Sequence, residues 1–228
     1  HGGDKGFNSK IWDVKILEEE NNVILKLYTK SLDMEENYPG NLDLCVTFKI
    51  YEDYKIEQTY EAISDKTTLV NMTNHSYFNL SGNIKRPITD EYLKVDCDYI
   101  LELDETCVPT GKKISVENTP FDFTKEMLIG ERIDDNNKQI QIGCGYDHAF
   151  ILNDTKNQIK LNDIISGRNM IIDTDQDCVV IYSMNFPDDV ELYNGNKTQR
   201  RYGICFETQA AQIGRNMCFI EASLLDKG

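Results

Sequence analysis

Apolar and polar residues alternate in short runs along this chain. Residues 44–51 read Leu-Cys-Val-Thr-Phe-Lys-Ile-Tyr, and the apolar run 23–29 follows the turn-forming pair Asn21-Asn22. A period near two sends successive side chains to opposite faces of an extended strand. Residues 55–63 come after only Glu52-Asp53-Tyr54, so 44–51 and 55–63 predict a hairpin with a tight connection. The same criterion predicts strands over 67–72, 99–103, 149–152, 158–161, 170–173, 178–184 and 202–206, separated by Asn-, Asp- and Gly-rich turns. Residues 121–132 alone suggest short helical turns, capped by Thr119 or Asp122. Residues 103–145 are polar and weakly periodic, and predict a long excursion that wraps a sheet face or carries function. The pattern predicts one all-β domain over 1–228, an antiparallel sandwich or barrel with few short helices.

With 228 residues the chain is long enough for a sizeable core. Its net charge of −15 argues against nucleic acid and anionic membrane surfaces, and more weakly against phosphorylated substrates. No apolar run approaches the length that spans a bilayer. The seven cysteines are scattered, with no Cys-x-x-Cys and no zinc-type spacing, so they read as reduced thiols of a cytoplasmic protein. Cys45, Cys178, Cys205 and Cys218 sit in apolar runs, where a thiol packs as a small hydrophobe.

Only three histidines are available for proton transfer near neutral pH: His1, His75 and His148. Each also has a structural reading as a hydrogen-bonded residue at a strand end. Most carboxylates lie in solvated runs, but Glu207 ends the apolar run Gly203-Ile204-Cys205-Phe206, where burial is costly unless the group is paired or used. Asp147 sits between Tyr146 and His148, ahead of Ala149-Phe150-Ile151-Leu152. Tyr38-Pro39-Gly40 predicts a tight turn with an aromatic beside it, able to stack on a sugar ring.

Taken together these segments resemble the aldose 1-epimerase family. The stretches that carry the resemblance are His1-Gly2-Gly3-Asp4-Lys5-Gly6-Phe7 with Trp12, Tyr38-Pro39-Gly40-Asn41-Leu42, Asn74-His75-Ser76-Tyr77-Phe78-Asn79-Leu80, Gly145-Tyr146-Asp147-His148 and Phe206-Glu207-Thr208-Gln209. They run in family order across nearly the whole chain. The resemblance implies a large antiparallel β-sandwich and interconversion of the α and β anomers of free aldohexoses such as galactose and glucose. By position, His75 matches the general acid and Glu207 the general base. His1 and Asp147 match residues that hold sugar hydroxyls, and Tyr77 and Asn74 flank the acid. The expected partner is a small sugar alone, with no metal or other cofactor, no nucleic acid and no membrane, and a monomer or weak dimer. The acidic surroundings of His75 are expected to keep it protonated.

The family pattern begins before His1 and continues past Gly228, so the chain reads as incomplete at both ends, without the family's N-terminal sugar-contacting arginine. Three other functions share these residues. One is a non-catalytic sugar-binding or sensing protein on the same fold. Another is an epimerase of hexose 6-phosphates, which needs cations such as Arg86, Arg132, Arg168, Arg200 or Arg201 for the phosphate. The third is a structural sandwich. Convergence of the histidines and Glu207 on one groove separates the enzyme from the last of these.

Overall fold

Strand parity organises the chain. The computed structural model describes residues 2–153, 156–193 and 195–228, which form two compact units: residues 2–72 with 223–228, and the described residues between 73 and 222. His1 lies outside the described residues.

In the first unit, β1 (Asp13–Glu19), β2 (Asn22–Ser31), β3 (Leu42–Tyr51) and β4 (Ile56–Ser64) form an antiparallel meander in sequence order. The predicted hairpin is present, with Leu42 opposite Ser64 and Ile50 opposite Ile56. β3 buries Leu42, Leu44 and Val46 and exposes Asp43 between them, as alternation requires. The predicted strand at 67–72 shrinks to β5 (Thr68–Leu69), which pairs with Leu224–Leu225. The Tyr38-Pro39-Gly40 segment is a turn before β3. Gly40 adopts φ +88°, and its N–H donates to Asp33 Oδ1 at 2.6 Å.

The second unit holds two antiparallel sheets. β6 (Tyr77–Phe78), β8 (Cys97–Leu103), β9 (Pro109–Ser115), β11 (Asp147–Leu152), β14 (Cys178–Tyr182) and β15 (Ile204–Gln209) make a six-stranded sheet in the order β6-β15-β14-β11-β8-β9. β7 (Tyr92–Val95), β10 (Met127–Leu128), β12 (Ile159–Asp163) and β13 (Arg168–Ile172) make a four-stranded sheet in the order β10-β7-β12-β13. Ile100, Phe150, Val179, Ile181, Ile204 and Phe206 of the larger sheet pack in one cluster with Leu93, Val95, Ile159 and Leu161 of the smaller. The unit is therefore a β-sandwich. Each such side chain contributes about 1.5–3 kcal/mol on burial.

The excursion at 103–145 does cover a sheet, but it is more structural than its polarity suggests. It supplies β9 as an edge strand and buries Val116, Phe121, Phe123, Ile129, Ile133 and Ile140 in the same core. The helical turns expected at 121–132 reduce to a 3-10 turn at Ile129–Glu131. The Arg132 guanidinium donates to Thr119 O and Asp122 O, both at 2.9 Å, so it takes carbonyls that a helix there would use. The α-helix, α1 (Lys138–Gly143), comes just afterwards and is capped by the Asn137 side chain, which accepts from Gln139 N. No helix among the described residues is long and apolar enough to cross a membrane.

Candidate active site

The face of the six-stranded sheet turned away from the core carries the site. Asp147 lies opposite Tyr182, Tyr182 opposite Cys205, and Cys205 opposite Tyr77. Val180 lies opposite Ala149 on one side and Glu207 on the other. Residues 147 and 149, 180 and 182, and 205 and 207 thus share one face, because residues two apart on a strand point the same way. Their neighbours Phe150, Ile181, Ile204 and Phe206 point into the core. A slip of one residue in register would exchange the two sets, so the core fixes which groups reach the site.

His75 precedes the short β6. Asn74 turns the chain there, its Oδ1 accepting from Ser76 N at 2.9 Å. The result is a direct contact between His75 Nε2 and Glu207 Oε1 at 3.1 Å. The Glu207 side chain is 10% exposed and that of His75 41% exposed, so the carboxylate is set back and the imidazole stands at the opening. Around them, the His75 ring centroid lies 5.2 Å from that of Tyr77 and 5.9 Å from that of Tyr182. Cys205 Sγ lies 3.3 Å from His75 Nδ1.

Burial sets the electrostatics. It raises the Glu207 carboxyl to about 7. It also raises Asp147 to about 6, helped by the Glu207 charge and opposed by His75. Two carboxyls raised toward neutrality on one sheet face make this the candidate site for proton transfer.

Of the sequence candidates, His75, Glu207, Asp147, Tyr77 and Asn74 gather here, and His1 lies outside the described residues. His148 does not join them. It is one residue from Asp147 and so faces the core, where Nε2 lies 3.2 Å from Gln139 Oε1 and its ring packs 4.6 Å from that of Phe121. Burial pushes it down to about 3, so it is neutral and structural. Cys205 and Tyr182 were not among the candidates. Both were detectable: Cys205 is two residues before Glu207 on one strand, and Tyr182 ends an apolar run.

Two buried networks hold the site's backbone. In the first, the Asn79 amide donates to Arg86 O at 2.8 Å and Tyr202 O at 3.0 Å, while Leu80 N donates to Glu91 Oε1 at 2.8 Å. Glu91 is fully buried, and burial raises its carboxyl to about 7. This exceeds the ordinary value of 4.5, so the group stays protonated in the folded chain while it ionises in the unfolded one. Its contribution is intact at low pH and is lost as pH rises through about 7. Glu91→Gln is therefore expected to gain stability relative to the native chain by roughly 2 kcal/mol between pH 5 and pH 8. Urea unfolding at the two pH values measures the difference.

The second network lies just before Asp147. Arg201 donates to Ser183 Oγ at 2.9 Å, to Asn185 Oδ1 and to Cys144 O at 2.7 Å. Asn185 Nδ2 in turn donates to Gly143 O at 2.6 Å and Tyr146 O at 3.0 Å. Gly145 lies under this guanidinium at φ +134°, and a Cβ there would overlap it. Gly145→Ala is expected to cost about 2 kcal/mol or more in urea unfolding, since it combines backbone strain with displacement of a buried ionic group.

The aldose 1-epimerase family model matches residues 1–216. Human galactose mutarotase is 34% identical over 213 residues, which are 92% of this chain and 59% of the human protein. An aldose 1-epimerase of Streptococcus thermophilus is 30% identical over 240 residues, covering 100% of this chain and 66% of that protein. The crystal structure of galactose 1-epimerase from Lactobacillus acidophilus NCFM superimposes with a TM-score of 0.87 at 29% identity, covering 100% of this chain and 65% of that one. The chain thus spans about three-fifths of the length of the human relative. One family model runs through both units, and the chain belongs to the aldose 1-epimerase family.

Proposed function

We propose that this chain interconverts the α and β anomers of a free aldohexose, with galactose or glucose as substrate, by acid–base opening and reclosure of the ring. The observation that carries this reading is the 3.1 Å contact between His75 Nε2 and Glu207 Oε1. Ring opening removes the proton from the C1 hydroxyl and adds one to the ring oxygen. Both oxygens are bonded to C1, so acid and base must reach points within one small group. Glu207 as carboxylate takes the hydroxyl proton, and His75 as imidazolium protonates the ring oxygen as the C1–O bond breaks. Rotation about C1–C2 presents the other face of the aldehyde. The ring hydroxyl then adds to it, His75 recovers its proton, and Glu207 returns its own to the C1 oxygen. The pair ends as it began.

Asp147 is assigned to a sugar hydroxyl, because it shares the face and stands next to the pair in charge. Tyr77 and Tyr182, whose ring centroids are 6.3 Å apart, offer an aromatic wall to the apolar side of a pyranose. Asn74 supports the acid through its turn rather than by ring contact. A free sugar is favoured over a 6-phosphate because the candidate arginines are engaged. Arg86 pairs with Asp163 at 2.6 Å, and Arg201 is held in its buried network. Arg132 binds Thr119 O and Asp122 O, Arg168 binds Leu80 O at 3.1 Å, and Arg200 binds Cys144 O at 2.9 Å. We read the chain as one domain that acts in the cytoplasm on free sugars without a cofactor.

Polarimetry of freshly dissolved α-D-galactose tests this. The protein is expected to speed the approach to anomeric equilibrium in proportion to its concentration. Saturable galactose binding with an unchanged rate would make it a sugar-binding protein instead. Competition by galactose 6-phosphate stronger than by galactose would shift the substrate class.

A further inference from the structure

His75, Cys205 and Glu207 also form a second constellation. Each offers one metal-ligating atom, and the three atoms lie within 4.8 Å of one another. Two of the ligands sit on β15 two residues apart and are buried, so their spacing is set by the strand. The third, His75, is the most exposed of the three. Its Nδ1 already lies 3.3 Å from Cys205 Sγ. With bonds of about 2.0–2.3 Å, ligand atoms around a tetrahedral zinc lie about 3.5 Å apart. A small turn of one side chain therefore closes the set. No Cys/His spacing announces it in the sequence, because the ligands come from distant segments.

We propose that His75, Cys205 and Glu207 bind a thiophilic divalent cation of the zinc type, which inhibits the enzyme by occupying its acid and base. The ion is an inhibitor and not a cofactor. The inhibition rests on the proposed function, whereas the binding does not. Thiolate and imidazole select zinc, cadmium or cobalt over magnesium and calcium, which prefer all-oxygen shells. Binding exchanges the Cys205 S–H bond for a sulfur–metal bond and releases that proton to solvent. The fourth position is left to water. The groups facing the thiol are His75, Tyr77, Asp147, Tyr182 and Glu207.

Cobalt(II) chloride titrated into the full chain tests the site through its thiolate-to-cobalt charge-transfer band. The background carries Cys107→Ser and Cys144→Ser, which removes the two exposed thiols. One equivalent is expected to bind, with the band displaced by zinc chloride, absent in Cys205→Ser and weakened at least tenfold in affinity in His75→Gln. No band, or a band undiminished in Cys205→Ser, overturns the proposal. Zinc chloride is also expected to compete with galactose in polarimetry, reversibly on addition of EDTA. A one-equivalent band in a chain without mutarotation leaves the metal site standing and removes the proposed function. Mutarotation without the band does the reverse.

Discussion

Glu207→Gln is expected to lower mutarotation at least about a hundredfold, with little change in galactose affinity. Glutamine keeps the shape and a hydrogen bond to the sugar but has no basic oxygen to accept the C1 hydroxyl proton. The loss therefore falls on kcat. The pH profile gives an independent check. Burial raises the Glu207 carboxyl to about 7, and only its ionised form is a base. Below that value the carboxyl is protonated and idle, so the native rate rises with pH through about 7. In Glu207→Gln that limb disappears. Asp147 responds as well. Its elevation to about 6 owes part to the Glu207 charge, so the variant lowers it. Carbon-detected NMR titration of the carboxyls reads this shift even where activity is gone.

His75→Asn is expected to cost a similar factor, again at least about a hundredfold. Asparagine fits the space and donates a hydrogen bond, but it cannot deliver a proton to the ring oxygen. The variant also removes the 3.1 Å contact between His75 Nε2 and Glu207 Oε1. Near-native mutarotation in either variant, with galactose still bound, would refute the assigned roles.

Which parts of this were readable in the sequence follows from where packing is one-sided. β3 and β4 were legible because alternation in 44–51 mirrors a strand with one buried face. β9 was not. It opens on Pro109, contains Gly111 and runs through Lys112-Lys113, since an edge strand with exposed residues carries little hydrophobic pattern. α1 is too short at six residues for a helical period to show. Its neighbourhood reads as polar loop although Ile133 and Ile140 are buried.

The site divides in the same way. His75, Tyr77 and Glu207 stand in distinctive local motifs, so their identity was visible. Their 3.1 Å meeting depends on β6 pairing with β15 and is visible only in three dimensions. Parity alone would have separated Asp147 from His148, since adjacent strand residues cannot both face one groove. The same rule applied to Cys205 places its thiol beside Glu207 rather than in the core. The Arg201 network under Gly145 is a long-range contact with no local signature.

A crystal structure of Glu207→Gln with bound galactose tests the central claim most directly. The account predicts the C1 hydroxyl in hydrogen-bond reach of Gln at position 207, the ring oxygen in reach of His75 Nε2, and Asp147 on another hydroxyl of the same sugar. A galactose seated elsewhere, or one that touches neither His75 nor position 207, would contradict it.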